Sequence, residues 1–375
     1  MNFCKICVTP NTRPRVVFDK TGICNACINA EKKSKLINWE NRENEFLDLV
    51  KKIKHEENND NPYNCLVPWS GGKDSTYVAL RLKFEFGLKP LLVTFSPLIP
   101  NYVGQFNRQI LIKKGFDALY FSPNQKVGQT LAKRFFIERG NPKVAWDAGI
   151  NSVPVNTALN YNISNIFYAE HGESEYGGLV LDKESEKTRN SQEVIEHIIG
   201  DYPENWISDE LSLSDIKPYM YPSQETIDKN NIKSHYFSYY FKWSINENYN
   251  YVKKKLPDFM ENEMGRTEGT FTNFDSLDDK IDDIYYYMQY IKFGFGRATR
   301  DASRFIANAE LSREEAIDLV KKYDGEFPSR NIDEVLKYLN ISKFEFEEIV
   351  NKHRNEEIWT KDNNYWKLKY KVNHV

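Results

Sequence analysis

The short apolar run Cys65-Leu66-Val67-Pro68-Trp69 breaks into Ser70-Gly71-Gly72-Lys73-Asp74-Ser75 and then resumes as a helical pattern. No other stretch narrows the possible folds so much. Adjacent glycines let a backbone turn sharply and bring its N–H groups against a ligand. A helix starting there points its positive end and its unpaired N–H groups at the same spot. Ser70 and Ser75 add hydroxyl donors, and Lys73 can add charge. Asp74 would repel phosphate unless a cation lay between, which points to Mg²⁺. The pattern is not the G-x-x-x-x-G-K-[ST] loop of the common nucleotide triphosphatases. A tight turn with no ligand is the plainer alternative.

The flanking sequence alternates strand and helix. Strands are predicted at 64–68, 91–96, 118–122 and 166–170, and helices at 75–86, 103–114, 125–139 and 152–161. Buried, non-alternating strands joined by helices argue for an α/β fold, a parallel doubly wound sheet covered on both faces. Ligands on such sheets bind at the carboxyl ends of strands. The segments 70–75 and 171–178 should therefore face one crevice. Upstream, residues 31–57 read as one charged helix with Leu36, Trp39, Phe46, Leu49, Val50 and Ile53 as its apolar face, ended by "NNDNP" at 58–62. Residues 183–230 are polar and irregular and read as an insertion or lid. The pattern is helical again at 280–293 and 301–354, where Ser342 and Glu345 have the spacing of a capping box.

Four of the five cysteines fall in the first 27 residues, as Cys4-x2-Cys7 and Cys24-x2-Cys27. Paired CxxC motifs at this separation match a four-thiolate zinc ribbon, with the metal structural because no coordination position stays open. Val16-Val17-Phe18 would be a strand and Asp19–Gly22 a turn. A metal-free reduced cluster or a redox pair is the alternative. Cys65 lies in an apolar strand and should be buried and inert.

A net charge of −3 and a pI near 6.2 provide no basic footprint for nucleic acid. There is no apolar run long enough to span a membrane and no signal-peptide pattern at the start. A cytoplasmic location, with no nucleic-acid or membrane partner, is expected. The aromatic clusters at 235–243 and 285–293 read first as core.

The loop resembles the SGGxDS motif of the PP-loop ATP pyrophosphatases. Together with the ribbon, "DAGINS" (147–152), "AEHGESEYGG" (169–178), "EGTFTNFDSLDDKID" (268–282) and "KFGFGRATRDAS" (292–303), the chain is similar to the N-acetyl sugar amidotransferases. That resemblance weakens over about 183–230. It implies an enzyme that converts an N-acetyl group of a surface-glycan sugar, of the pseudaminic or legionaminic type, to acetamidino, using ATP and ammonia and releasing AMP and pyrophosphate. It also implies a ribbon over 1–35, a PP-loop domain over 36–230, and a helical substrate or assembly region over 231–375.

On this reading ATP would lie on Ser70, Gly71, Gly72, Asp74, Ser75 and Thr76. Lys73 and Asp74 would act in catalysis, and Asp74 would position magnesium. Glu173, with Glu175 beside it, is a candidate for the metal or the attacking ammonia, against the plainer role of an exposed carboxylate. His171 is a general base or a structural imidazole. Asp147 and Asn151 cap a helix or lie near the nucleotide. Arg297 and Arg300 could fork onto phosphate or a sugar carboxylate, or Asp301 could pair with them. Glu268, Thr270 and Asn273 are weaker substrate candidates. Residue 2 is Asn and no cysteine is spare, so the chain is expected to lack its own glutaminase; the resemblance implies a separate glutaminase subunit with a barrel-type companion to supply ammonia, with free ammonia as the alternative. A PP-loop tRNA-thiolating enzyme is the rival; it calls for a basic surface and reactive cysteines. A non-catalytic zinc-ribbon protein is the other.

Overall fold

The computed structural model describes residues 1–56, 60–178, 183–363 and 365–373. Residues 58 and 59 of the expected break lie outside them. Its centre is a sheet of five parallel strands: β1 (Cys65–Pro68), β2 (Pro90–Phe95), β3 (Asp117–Phe121), β4 (Asn165–Tyr168) and β5 (Lys233–Tyr236), in the order β3-β2-β1-β4-β5. Leu66 sits beside Leu91 of β2 on one side and Ile166 of β4 on the other. Strand order reverses between β1 and β4. Connections leave the sheet in opposite directions there and open a crevice above the strand ends.

Successive strand residues point to opposite faces, and each face has its own core. Cys65, Val67, Leu92 and Phe167 pack with Val78 and Leu82 of helix Lys73–Phe84 and with Phe46, Val50 and Ile53 of helix Trp39–His55. Leu66, Leu91, Val93 and Ile166 pack with Leu131 and Phe135 of helix Gln125–Arg139 and with Ala145 and Ala148 of helix Val144–Asn160.

Four expectations need correcting. The single helix over 31–57 is two, Asn25–Lys35 and Trp39–His55. Asn38 caps the second by accepting from the Asn41 N–H at 3.0 Å, and Leu36, in the link, is 77 % exposed rather than on the apolar face. The helix expected from 152 begins at Val144, so Asp147 and Asn151 lie inside it and cap nothing.

The stretch 183–230 is no lid. It is the crossover from β4 to β5, and Val194, Trp206, Leu211, Ile216, Tyr219 and Ile227 bury themselves in the second core. Its apolar residues come singly along short helical turns, so no periodic face shows in the sequence. Finally, the sheet draws β5 from beyond the boundary expected at 230, out of the aromatic stretch that continues into buried Phe237, Tyr239 and Tyr240.

The C-terminal region is helical, with Asp282–Phe293, Arg297–Ala307, Arg313–Tyr323, Ile332–Leu339 and Lys343–Lys352 followed by a small antiparallel pair, Trp359–Asp362 with Tyr365–Leu368. Ser342 and Glu345 form the expected capping box. Ile284, Met288, Leu339 and Phe346 pack on Phe136, which anchors this region to the sheet domain. No helix among the described residues is long and apolar enough to cross a membrane.

Candidate active site

The glycine turn leaves β1 at the point where strand order reverses. Gly71 has φ +95°, and a Cβ there would lie 2.7 Å from Arg108 Cγ and 3.0 Å from the Gly104 carbonyl oxygen, so only glycine fits. Arg108 Nη1 donates to the Ser70 carbonyl at 2.9 Å, and the Gly72 N–H donates to Ser70 Oγ at 3.2 Å. Helix Lys73–Phe84 starts at once and directs its N-terminus into a cavity of about 240 Å³. Ser70, Gly72, Lys73, Asp74 and Ser75 form one wall; Ala169 and Glu170, just past β4, form a second; residues 274–278 form the third.

The charges around this cavity are tightly paired. Lys73 is 1 % exposed and donates to Asp74 Oδ2 at 2.8 Å and to Asp275 Oδ1 at 2.7 Å. Burial alone would pull its ammonium down, but Asp275 and Asp74 outweigh it and hold Lys73 above its usual range. Burial pushes Asp275 up, yet Lys73, Arg297 and Arg304 hold it well below the carboxylate range. Asp74 Oδ1 is enclosed and has no hydrogen-bond partner. Glu170 accepts from the Tyr176 hydroxyl at 2.6 Å, and burial and neighbouring Asp74 push its carboxyl up. The cavity therefore combines N–H and hydroxyl donors with carboxylates that have acceptor capacity to spare, a fit for phosphate and a hard divalent cation together.

Several candidates lie elsewhere. Thr76 is 1 % exposed, accepts from Trp69 Nε1 at 3.0 Å, and braces the turn from within. Glu173 pairs with Arg15 at 2.7 Å and Glu175 with Lys33, both away from the cavity. His171 is buried, stacked on Tyr236 at 4.2 Å, with Nε2 3.2 Å from Glu193 Oε1. Glu268 accepts from Ser329 Oγ at 2.6 Å and from the Arg330 N–H at 3.1 Å. Asn273 donates to Glu261, and Thr270 donates to Asp301 at 2.7 Å. Arg297 is buried between Asp301 (3.1 Å) and Asp275 (3.2 Å), so its partnership with Asp301 is interior, not a surface ion pair.

Asn151 accepts from Arg189 at 2.6 Å. Asp147 is pushed up to about 7 by burial, with Asp282 adding to the rise and Lys143 opposing it. Its folded value lies above the ordinary 3.8, so the folded state holds an extra proton between these values, and stability from this group is lost as pH rises through about 7. Denaturant titrations of wild type and Asp147→Asn at several pH values should show the wild type losing stability relative to the variant over that window. A constant difference would contradict this.

Glu170, Tyr176, Asp275 and Arg304 were not among the candidates. Glu170 carried a usable signal, because it follows an apolar strand as Ser70 follows β1. Asp275 reaches the loop only through the fold of the C-terminal region.

The ribbon carries the candidate metal centre. The Cys4, Cys7, Cys24 and Cys27 sulfurs lie within 4.8 Å of one another. Cys4–Cys27 and Cys7–Cys24 are 3.8 and 3.7 Å apart. A tetrahedron with Zn–S bonds of about 2.3 Å has edges of about 3.8 Å, so the donor set fits zinc. The N–H groups of Thr9 and Cys24 donate to Cys7 and Cys4 sulfur at 3.4 and 3.3 Å, as suits thiolates. The expected strand at 16–18 is reduced to one bridge, Phe18 with Cys24, around a turn in which Asp19 accepts from the Thr21 and Ile23 N–H groups. Thr9 donates to Ser303 at 2.8 Å, Arg15 and Lys33 hold Glu173 and Glu175, and Ile306 packs on the cysteines. The ribbon is thus fastened to helices Gly172–Tyr176 and Arg297–Ala307, which carry Tyr176 and Arg304.

Sheet order, glycine turn and acidic cavity define an α/β fold with a candidate anion site at its switch point, on a loop that resembles the PP-loop motif. Residues 268–373 match the family described as LPS biosynthesis protein WbpG-like, C-terminal domain. That span includes Asp275, Arg297 and Arg304. No curated protein matches the chain. Among solved structures, it is similar to a predicted subunit of tRNA methyltransferase from Methanocaldococcus jannaschii, at 18 % identity over 51 % of this chain and 75 % of that one, TM-score 0.27. It is also similar to the U34-tRNA thiolase NcsA from Methanococcus maripaludis, with its [4Fe-4S] cluster, at 13 % identity over 69 % and 90 %, TM-score 0.25. Those scores bear no argument about what this chain does.

Proposed function

We propose that the protein is an ATP-dependent amidotransferase. It adenylylates the acetamido oxygen of a bacterial surface-glycan sugar, a nonulosonic acid or a related diacetamido sugar, and replaces that oxygen with nitrogen from ammonia. The observation that carries this reading is the third wall of the cavity: residues of the WbpG-like region, 274–278, close over an intact glycine loop.

The chemistry explains the architecture. An amide carbon is a weak electrophile, and its oxygen leaves poorly. Attack by that oxygen on the α-phosphorus of ATP forms a new P–O bond and breaks the bond to pyrophosphate. The resulting imidate carries AMP as leaving group. Ammonia adds to the imidate carbon, the C–O bond breaks, AMP departs with the former amide oxygen, and an amidinium remains. Negative charge grows on the departing pyrophosphate, so donors must already be aimed there. Ser70, Ser75 and the helix N-terminus would supply them, with the Gly72 N–H holding Ser70 Oγ in place. Asp74 and Glu170 would hold magnesium, which when bound neutralises phosphate charge. Lys73 fixes Asp74 and Asp275 relative to each other.

Cys65 is buried in β1 and burial pushes its thiol up. That supports ammonia arriving from a separate glutaminase subunit, with a barrel-type companion as a further proposed partner. Glu170 takes the role first given to Glu173. Glu170→Gln should lower turnover by about a hundredfold or more, while Glu173→Gln, at a residue outside the cavity wall, should stay within about threefold. Equal effects in steady-state assays would refute the assignment.

The test of the whole reading is incubation with ATP, Mg²⁺, ammonium and a panel of diacetamido nonulosonic acids. Mass spectrometry should find O replaced by NH together with AMP and pyrophosphate. Pyrophosphate release dependent on tRNA instead of sugar would favour the thiolating alternative.

A further inference from the structure

Three guanidinium groups gather on one tyrosine ring. Arg13 of the ribbon, Arg300 and Arg304 lie 6.0, 5.8 and 4.6 Å from the centroid of Tyr176. No carboxylate among the described residues forms a hydrogen bond or ion pair with any of the three, and the enclosed Arg304 Nη2 has no hydrogen-bond partner. Arg297, on the same helix as two of them, shows the contrast: it is held between Asp275 and Asp301. Like charges this close repel, and although acids lie within electrostatic reach of Arg304, none is hydrogen-bonded to any of the three, which leaves donors that an anion would fill. The strain registers on Arg13, which burial and Arg300 push down to about 10.

The cluster adjoins the loop cavity. The Tyr176 hydroxyl donates to Glu170, a cavity wall residue, and Arg304 is within electrostatic reach of Asp74, Glu170 and Asp275. The nucleotide's outer phosphates already have the glycine loop and the helix N-terminus. Arg13 comes from the ribbon, which contributes nothing to the wall of the loop cavity.

We propose that Arg13, Arg300 and Arg304 form an oxyanion site for the carboxylate of the acceptor sugar, so that the ribbon reads substrate as well as binding metal. This rests on the amidotransferase reading, because it takes the anion to belong to the acetamido-bearing molecule. A bidentate arginine–carboxylate contact also fixes the orientation of a ring, which would present one acetamido group to the α-phosphorus.

The test is binding, not turnover, so that it can succeed or fail apart from the reaction. Thermal shift and calorimetry of the full zinc-loaded chain would use N-acetylneuraminate, its methyl ester and ATP. The acid should bind and the ester should bind at least about tenfold more weakly. Arg13→Gln and Arg300→Gln should each weaken the acid about tenfold while leaving ATP affinity within about twofold. Arg300 is only partly buried and lies off the ribbon, so its variant decides the matter if Arg13→Gln loses zinc. Equal binding of acid and ester, unchanged affinity in Arg300→Gln, or weakened ATP binding in its place would overturn the proposal. The last outcome would assign the site to a nucleotide phosphate. Acid binding without any O-to-NH exchange would keep this site and sink the amidotransferase reading.

Discussion

Asp74→Asn should slow pyrophosphate release by about a hundredfold to a thousandfold while leaving the fold intact. The substitution is nearly isosteric, and its amide oxygen can still accept from Lys73 as Asp74 Oδ2 does at 2.8 Å. What changes is the other oxygen, Oδ1, which is enclosed and has no partner in the protein. A buried carboxylate oxygen without a donor is costly unless something outside the chain satisfies it. On the proposed reading that something is magnesium on the phosphates. The loss should fall mainly on kcat, because the positive charge matters most as the pyrophosphate departs. Steady-state pyrophosphate assays, with thermal melts as the folding control, would read it. Wild-type kcat in the variant would remove Asp74 from the site.

Removing the metal should have a comparably large effect by a different route. Apparent zinc-binding energies in isolated finger peptides reach about 10–16 kcal/mol, and the ribbon has too little core of its own to fold without such help. Cys24→Ser, or chelation, should therefore unfold roughly the first 35 residues. The two sheet cores contain no ribbon residue and should persist. Turnover should still fall by about a hundredfold, because Arg15, Lys33 and Thr9 no longer brace the helices carrying Tyr176 and Arg304. Metal analysis should find one zinc per chain. Limited proteolysis of the chelated protein should clip the N-terminus and spare the sheet, with circular dichroism largely retained. An active, protease-resistant apo-protein would show that the ribbon's metal is dispensable.

Local pattern carried much of the fold. The glycine turn after β1, the four parallel strands from β1 to β4 and the cysteine ribbon all follow from short windows, because turn chemistry, apolar runs and thiol spacing act within a few residues. β5 was missed because "KSHY" has no continuous apolar run; its burial comes from β4 and the following aromatic turn. Residues 183–230 looked loose because single apolar side chains on short turns carry no period, yet Trp206, Ile216 and Tyr219 are nearly fully buried. The site divides the same way. Ser70 to Ser75 could be found from the motif. Asp275 and Arg304 are placed opposite the loop only by packing between regions two hundred residues apart, which no local signal reports. Glu173 was attractive as a carboxylate past β4, but the helix Gly172–Tyr176 turns it toward Arg15 and leaves Glu170 at the cavity.

In the proposed reaction an acetamido oxygen attacks the α-phosphorus of ATP. The most direct measurement supplies the sugar with that oxygen as its heavy isotope, in the presence of ATP, Mg²⁺ and ammonium, and weighs the products. AMP should carry the label, and the amidino sugar and pyrophosphate should not. Label retained in the sugar, or ADP and phosphate formed in place of AMP and pyrophosphate, would contradict it.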